Sequence, residues 1–204
     1  WVGWVAGVIL VADLARANLP WIVYYDYREK YASNAVIDFL RENTWQHRVA
    51  GRLMPRGGGA LVNDQGQYFA SLYSEWLEHL FQYYKVQALD IVQMPRVPVL
   101  DYTYLRTFQP TNTADFGRLG RLWELTNTRY VLGMTGFLEF LNEQFDGSRG
   151  RFRVHTAFNV VPKPGVNEVT RLSQLTIAPA TNGTFALFEF DGALPRASLV
   201  PRWE

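Results

Sequence analysis

Residues 1–12 hold no charged or polar side chain, and the apolar run ends at Asp13 and Arg16. At about 1.5 Å per helical residue they span roughly 18 Å, against about 30 Å of bilayer hydrocarbon. They read as the outer end of a membrane helix whose start has been cut away. A core element of a soluble domain is the rival reading, since apolar runs of this length are often just that. A signal peptide would carry a basic stretch before the run, and the cut that removed the start of the helix would have removed such a stretch too. Trp21, Tyr24, Tyr25 and Tyr27 follow as an interfacial aromatic belt would. Asp13, Asp26 and Glu29 balance Arg16, Arg28 and Lys30, so no positive excess marks this side as cytoplasmic and the outer face is favoured.

Beyond the belt the apolar positions take up helical period. Val36, Ile37, Phe39 and Leu40 predict a short amphipathic helix over 33–43, capped by Ser33 or Asn34. Residues 46–53 read as a strand with Val49 and Leu53 inward. Residues 55–66 read as a loop holding Gly57, Gly58 and Gly59. Phe69, Leu72, Tyr73, Trp76, Leu77, Leu80, Phe81 and Tyr84 recur at i, i+3, i+4, i+7 spacing and predict the longest helix, over 68–84. A strand is expected over 86–92. Three prolines, Pro95, Pro98 and Pro110, predict a mostly irregular stretch over 94–113. A helix over 114–127 leads into a buried strand over 129–132, and 137–145 reads as another helix.

The last third switches to period two. Phe152, Val154, Thr156, Phe158 and Val160 alternate with Arg153, His155, Ala157 and Asn159. Further strands are predicted over 184–190 and 196–200. Early strand–helix–strand order favours parallel pairs and the later strands favour antiparallel ones. The expected fold is therefore α/β (α+β), a mixed sheet packed by amphipathic helices. The expected organisation is the end of a transmembrane helix (1–17), an aromatic linker (18–31) and an extracytoplasmic domain (32–204).

Composition narrows the function classes. With 48% hydrophobic and 19% charged residues the chain has material for a core and no case for disorder. A net charge of +1 argues against a nucleic-acid partner. The absence of cysteine excludes disulfides, Cys-ligated zinc, iron–sulfur clusters and thiol catalysis. No cofactor or metal is expected: His47, His79 and His155 stand at no ligand spacing and read as surface or half-buried histidines. The three glycines lack the ending of a phosphate loop, and no serine-nucleophile signature occurs. Glu75 and Glu78 share the solvated side of the long helix. No catalytic residue is assigned. Weak ligand-binding candidates are Tyr24, Tyr25 and Asp26, with Trp45 and Arg196. The first three combine flat rings with an acid, which suits a sugar or a membrane interface.

Three segments resemble one known family. Residues 185–200, Phe-Ala-Leu-Phe-Glu-Phe-Asp-Gly-Ala-Leu-Pro-Arg-Ala-Ser-Leu-Val, are similar to a strand and A-L-P-R-A element of YfhO-like bacterial membrane proteins. Residues 122–132, Leu-Trp-Glu-Leu-Thr-Asn-Thr-Arg-Tyr-Val-Leu, resemble that family's helix-to-strand element. The apolar helix ending in Asp13 and Leu14, with a linker and His47, Arg48 and Val49, resembles the join from the last membrane helices to the outer domain. Asp191-Gly192 departs from the pattern, where an Asn is common. YfhO-like proteins are multi-span envelope proteins related to GT-C glycosyltransferases, which use lipid-linked sugars. The resemblance implies the C-terminal extracytoplasmic part of such a protein, with its catalytic acid upstream. Its partners would be the membrane portion of its own chain and a lipid-linked sugar or cell-wall polymer. Pro195 suits the edge of a strand, and Arg196 after it suits a fixed ion pair or a carbonyl clamp.

Three functions follow as expectations. The first is a non-catalytic outer domain that shapes an acceptor or donor cleft. The second is a carbohydrate- or polymer-binding module using Tyr24, Tyr25, Trp45 and Tyr102. The third is a self-standing enzyme built around His47, Asp64 or Asp101.

Overall fold

The computed structural model describes residues 1–22, 24, 26–51, 64–90, 99–109 and 116–197. The chain divides into two compact units, Trp1–Ala32 and Ser33–Glu204.

The first unit opens with α1 (Val2–Asn18), which continues through a 3-10 turn over Leu19–Trp21. The helix runs past Asp13 and Arg16, close to the 1–17 bounds expected. Its apolar stretch, Val2–Trp21, is 20 residues long, about 30 Å of helix, and is long and apolar enough to cross a membrane. None of its residues is buried. Valines, leucine and tryptophan lie exposed all round it, a surface that matches lipid rather than water. The short helix α2 (Tyr27–Lys30) follows, its first turn held by Asp26, which accepts from the Arg28 N–H at 2.8 Å.

The second unit begins with α3 (Ala35–Glu42). Asn34 caps it, accepting from the N–H groups of Val36 and Ile37 at 3.1 Å each. After β1 (Arg48–Ala50) comes α4 (Asp64–Glu75), which passes through a π turn over Trp76–Leu80 into α5 (Phe81–Tyr83). The predicted stripe is the buried one: Phe69, Leu72, Trp76, Leu80 and Phe81 are all buried. Each such aliphatic or phenyl side chain contributes about 1.5–3 kcal/mol by leaving water. In the 86–92 stretch, the described residues contribute an isolated bridge, Val49 to Ala88.

The irregular stretch expected over 94–113 contains a helix, α6 (Val99–Thr107). Pro98 and Pro110 bracket it instead of breaking it, and a proline beside the first turn costs no hydrogen bond. Next come α7 (Phe116–Leu125) and β2 (Thr128–Met134), then a 3-10 turn, α8 (Leu138–Phe140) and a second π turn over Leu141–Phe145. The chain then forms β3 (Phe152–Pro162), β4 (Leu175–Pro179) and β5 (Phe185–Phe190). The short edge strand β4 is not among the predicted elements. The last predicted strand, 196–200, lies mostly outside the described residues.

The sheet order is β1-β2-β5-β3-β4, with β1 and β2 parallel and the other pairs antiparallel. This is the mixed α/β sheet that the pattern predicts. Every residue of β5 is buried, because helices cover both faces of this central strand. On one face α3, α4 and α5 pack over Leu132, Phe158, Val160, Phe185 and Leu187. On the other, α7 and the second π turn pack over Val131, Phe152, Phe188 and Phe190.

One expectation about faces fails. Phe152 and Phe158 share a parity but lie in different cores. Val154 pairs with Phe188 and Thr156 with Leu187, so His155 is an extra residue in β3. This bulge exchanges the two faces of the strand, and Val154, just before it, is exposed.

A candidate functional site at one end of the sheet

Glu189 is the acid in an otherwise apolar strand, and it is buried. It stands opposite Tyr130 of β2 on one side and Arg153 of β3 on the other. Arg129 donates Nε and Nη2 to Glu189 Oε1 at 2.9 and 2.7 Å. Arg153 donates Nε and Nη2 to Glu189 Oε2 at 3.1 and 2.9 Å, and Nη1 to Asp191 at 2.9 Å. Burial pushes the Glu189 carboxyl up, but the two guanidinium groups outweigh it and hold the group below the usual carboxylate range. Glu189 is thus a carboxylate with all its strong acceptor sites used, and it has no proton to exchange near neutrality.

Two irregularities aim side chains at this end. Arg48 pairs with Thr128 and Val49 with Tyr130, which leaves Arg129 as an extra residue of β2, as His155 is of β3. Bulges re-aim side chains in this way, and they gather next to working surfaces. Around them lies an aromatic group. The Tyr130 ring meets Phe39, His47 and His155 edge-on, with centroids 5.2, 6.0 and 6.2 Å apart. Phe39 and His155 lie against each other at 4.0 Å.

A third part is built on the end of α7. Asn127 takes the left-handed conformation (φ 57°), which asparagine tolerates after a helix. It is buried, and its Nδ2 donates to the Leu194 carbonyl at 2.7 Å and faces His47 Nδ1 at 3.5 Å. Arg196 donates Nε to Asn127 Oδ1 at 3.3 Å and Nη2 to Gln87 Oε1. Of the two roles expected of Arg196, an ion pair or a carbonyl clamp, the contacts are those of the clamp, on two neutral side-chain amide oxygens. Arg48 donates Nη1 to the Thr126 carbonyl at 2.9 Å, where the α7 dipole favours a cation. Burial, then Arg129 and Arg196, lower the His47 pKa, against a smaller opposing pull from Glu189. The imidazole is therefore neutral near pH 7.

A separate ionic group sits beneath α7. Arg151 bridges Glu124 at 2.7 Å and Asp146 at 2.6 Å, and its guanidinium lies over the Phe190 ring. It ties α7, the second π turn and the sheet together.

The weak candidates from sequence are scattered. Tyr24 is exposed and Asp26 is a helix cap; Tyr25 lies outside the described residues. Trp45 is exposed, and so is Tyr102 on α6. Asp101 is exposed on α6, and the side chain of Asp64 lies outside the described residues. Arg196 and His47 are brought together with Asn127, Arg129, Tyr130, Arg153 and Glu189, which sequence reasoning passed over. The available signal was the lone acid of Phe-Ala-Leu-Phe-Glu-Phe: a charge in a fully buried strand needs a partner. Among the described residues no group of His, Asp and Glu side chains is arranged to hold a metal ion. What the arrangement offers chemically is recognition: fixed cations, neutral amides and ring edges. Compared with known protein families, with characterised proteins and with solved structures, the chain matches none.

Proposed function

We propose that this chain is a non-catalytic extracytoplasmic domain of a YfhO-type, GT-C-related membrane protein. In this reading α1 tethers it at the outer face, and the domain shapes the acceptor or lipid-linked sugar cleft of its parent. One observation carries the reading. Residues of the second unit taken from each of the three segments that bear the family resemblance meet at one place: His47 and Arg48 from the first, Asn127, Arg129 and Tyr130 from the second, Glu189 and Arg196 from the third. The buried acid there is locked between two arginines, which suits a binding surface better than an acid–base centre. The test has two arms. The 1–204 chain, in detergent, is given a polyprenyl-phosphate sugar and an acceptor glycan, and turnover by it sinks the non-catalytic reading. Because the chain lacks cysteine, Glu168→Cys is a unique thiol on an exposed loop. Labelling of intact cells by a membrane-impermeant maleimide is expected, and protection until lysis contradicts the outer-face placement.

A carbohydrate- or polymer-binding module is the second reading. Its support is that Tyr24, Trp45 and Tyr102 are all exposed rather than taken into a core. Retention of the chain on cell-wall polymer, lost in Trp45→Ala, distinguishes it from the first.

A further inference from the structure

We propose that the surface around Tyr130 binds a phosphorylated sugar, with the phosphate against Arg196, Arg129 and His47 and the sugar ring against the Tyr130–His155 edge. The proposal deepens the sugar-facing reading above and rests on it for the sugar part.

Charge complementarity is the first argument. Arg48, Arg129, Arg153 and Arg196 meet at this end of the sheet, and the carboxylates paired with them there are Glu189 and Asp191. Arg129 and Arg153 share those two acids. Arg48 and Arg196 have only neutral oxygen partners among the described residues. The excess of about two positive charges suits a sugar phosphate, which carries roughly −1.5 to −2 as a monoester and a single charge as a lipid diester.

The second argument is unused capacity. Arg196 is exposed, and its Nη1 has no hydrogen-bond partner among the described residues. Its other two nitrogens are held by Asn127 and Gln87, so the guanidinium plane is fixed before any ligand arrives. A held, planar fork is what selects phosphate over a diffuse anion.

Shape is the third. Tyr130 is half-buried, and His155 is exposed with its ring backed by Phe39 at 4.0 Å. These rings give a sugar an apolar face beside the cations. The two bulges, at Arg129 and His155, are what put a guanidinium and an imidazole on this surface at once.

His47 reports on binding. Its charged neighbours are Arg129 of β2, Glu189 of β5 and Arg196, and Tyr130 and Asn127 also face it. Arg129 and Arg196 oppose its protonation, so an anion placed between them raises the His47 pKa. The full chain, labelled at histidine and held in detergent, is titrated by NMR with glucose 1-phosphate, inorganic phosphate and glucose, with His79 as internal control. The expected result is saturable movement of His47, a raised His47 titration point, and binding about tenfold weaker in Arg196→Gln, the cost of one charge-assisted contact. Arg171→Gln, an exposed arginine elsewhere, binds as the parent does. No His47 response to any sugar phosphate, soluble or lipid-linked, equal binding by Arg196→Gln, or glucose binding as well as its phosphate each overturn the proposal. Inorganic phosphate binding as tightly as glucose 1-phosphate overturns the sugar part. A polyprenyl-phosphate glucose in nanodiscs separates the sources. Binding of both sugar phosphates supports the proposal with a soluble or polymeric ligand, binding of the lipid-linked one alone supports it with a lipid-linked ligand, and binding of neither overturns it. Sugar transfer by the chain would sink the non-catalytic reading and leave this binding test standing.

Discussion

Arg129 donates two hydrogen bonds to a single oxygen of Glu189, while Arg153 takes the other oxygen from the neighbouring strand. One buried acid therefore joins β2, β5 and β3. Removing it leaves two guanidinium groups beside a neutral amide. Glu189→Gln is expected to cost about 1–3 kcal/mol in urea unfolding, since the buried carboxylate loses its charge-assisted hydrogen bonds while the two partly exposed arginines keep water and Asp191.

The same pair sets an acid sensitivity. Glu189 and Glu124 are both pushed up by burial and pulled below the usual range by arginines: Arg129 and Arg153 for the first, Arg121 and Arg151 for the second. A carboxyl with a depressed folded pKa gives stability that is present above its unfolded value of 4.5 and lost as the pH falls through the folded value. Stability is thus level near neutrality and declines in acid below about pH 4.5. Urea midpoints at about pH 7 and about pH 3 check this. Glu189→Gln should lose less between the two than the parent, and an equal loss would exclude Glu189 as a source of the acid sensitivity.

Two glycines of α7 give opposite predictions. A Cβ on Gly120 collides with the backbone carbonyl of Phe145, so α7 and the second π turn touch there without a side chain between them. Gly120→Ala is expected to destabilise by about 1–3 kcal/mol, because backbone cannot step aside. Gly117 has open space at its Cβ, and Gly117→Ala is expected to gain up to about 1 kcal/mol from helix propensity. Thermal melts of both variants decide it. Shifts of the same sign would mean that the helix contact is wrong.

Trp76 is fully buried at the start of the first π turn, and its indole N–H has no partner among the described residues. The ring carries the packing and the N–H carries a desolvation cost of about 1–3 kcal/mol. Trp76→Phe keeps most of the contact and is expected to lie within about 1 kcal/mol of the parent. Trp76→Ala opens a cavity and should lose about 3–5 kcal/mol. Comparable losses in both variants would show that the N–H is satisfied.

For α1 the expectation is insertion. Val8 lies in the apolar half of the helix, exposed on its surface. An arginine near the centre of a span costs about 2.5–3.5 kcal/mol on insertion scales. Val8→Arg should shift the chain into the carbonate-extractable fraction, whereas Val8→Leu should not. If the parent chain is itself carbonate-extractable, the helix is not a span.

The elements legible in the sequence are those whose pattern is local. The stripe of α4 and α5, the cap of α3 and the apolar run of α1 each follow from spacings within a few turns, and the helix geometry turns those spacings directly into faces. The helix α6 was hidden because its flanking prolines count equally for a break and for a boundary. Strand β4 was hidden because a short edge strand takes its shape from its neighbour and little from its own residues.

The apolar and polar order alone determined a mixed sheet with helices against it and a lead-in helix suited to lipid. Only the tertiary structure decided the candidate site. His47, Asn127, Arg129, Tyr130, Arg153, Glu189 and Arg196 are far apart in the chain, and β1, β2, β3 and β5 bring them to one end of the sheet. Strict alternation assigned Arg153 and His155 to one side and Phe152 and Phe158 to the other. The extra residue at His155 broke that rule, because a bulge reverses the parity of every position after it. A bulge is a property of the pairing between two strands, and neither strand records it alone.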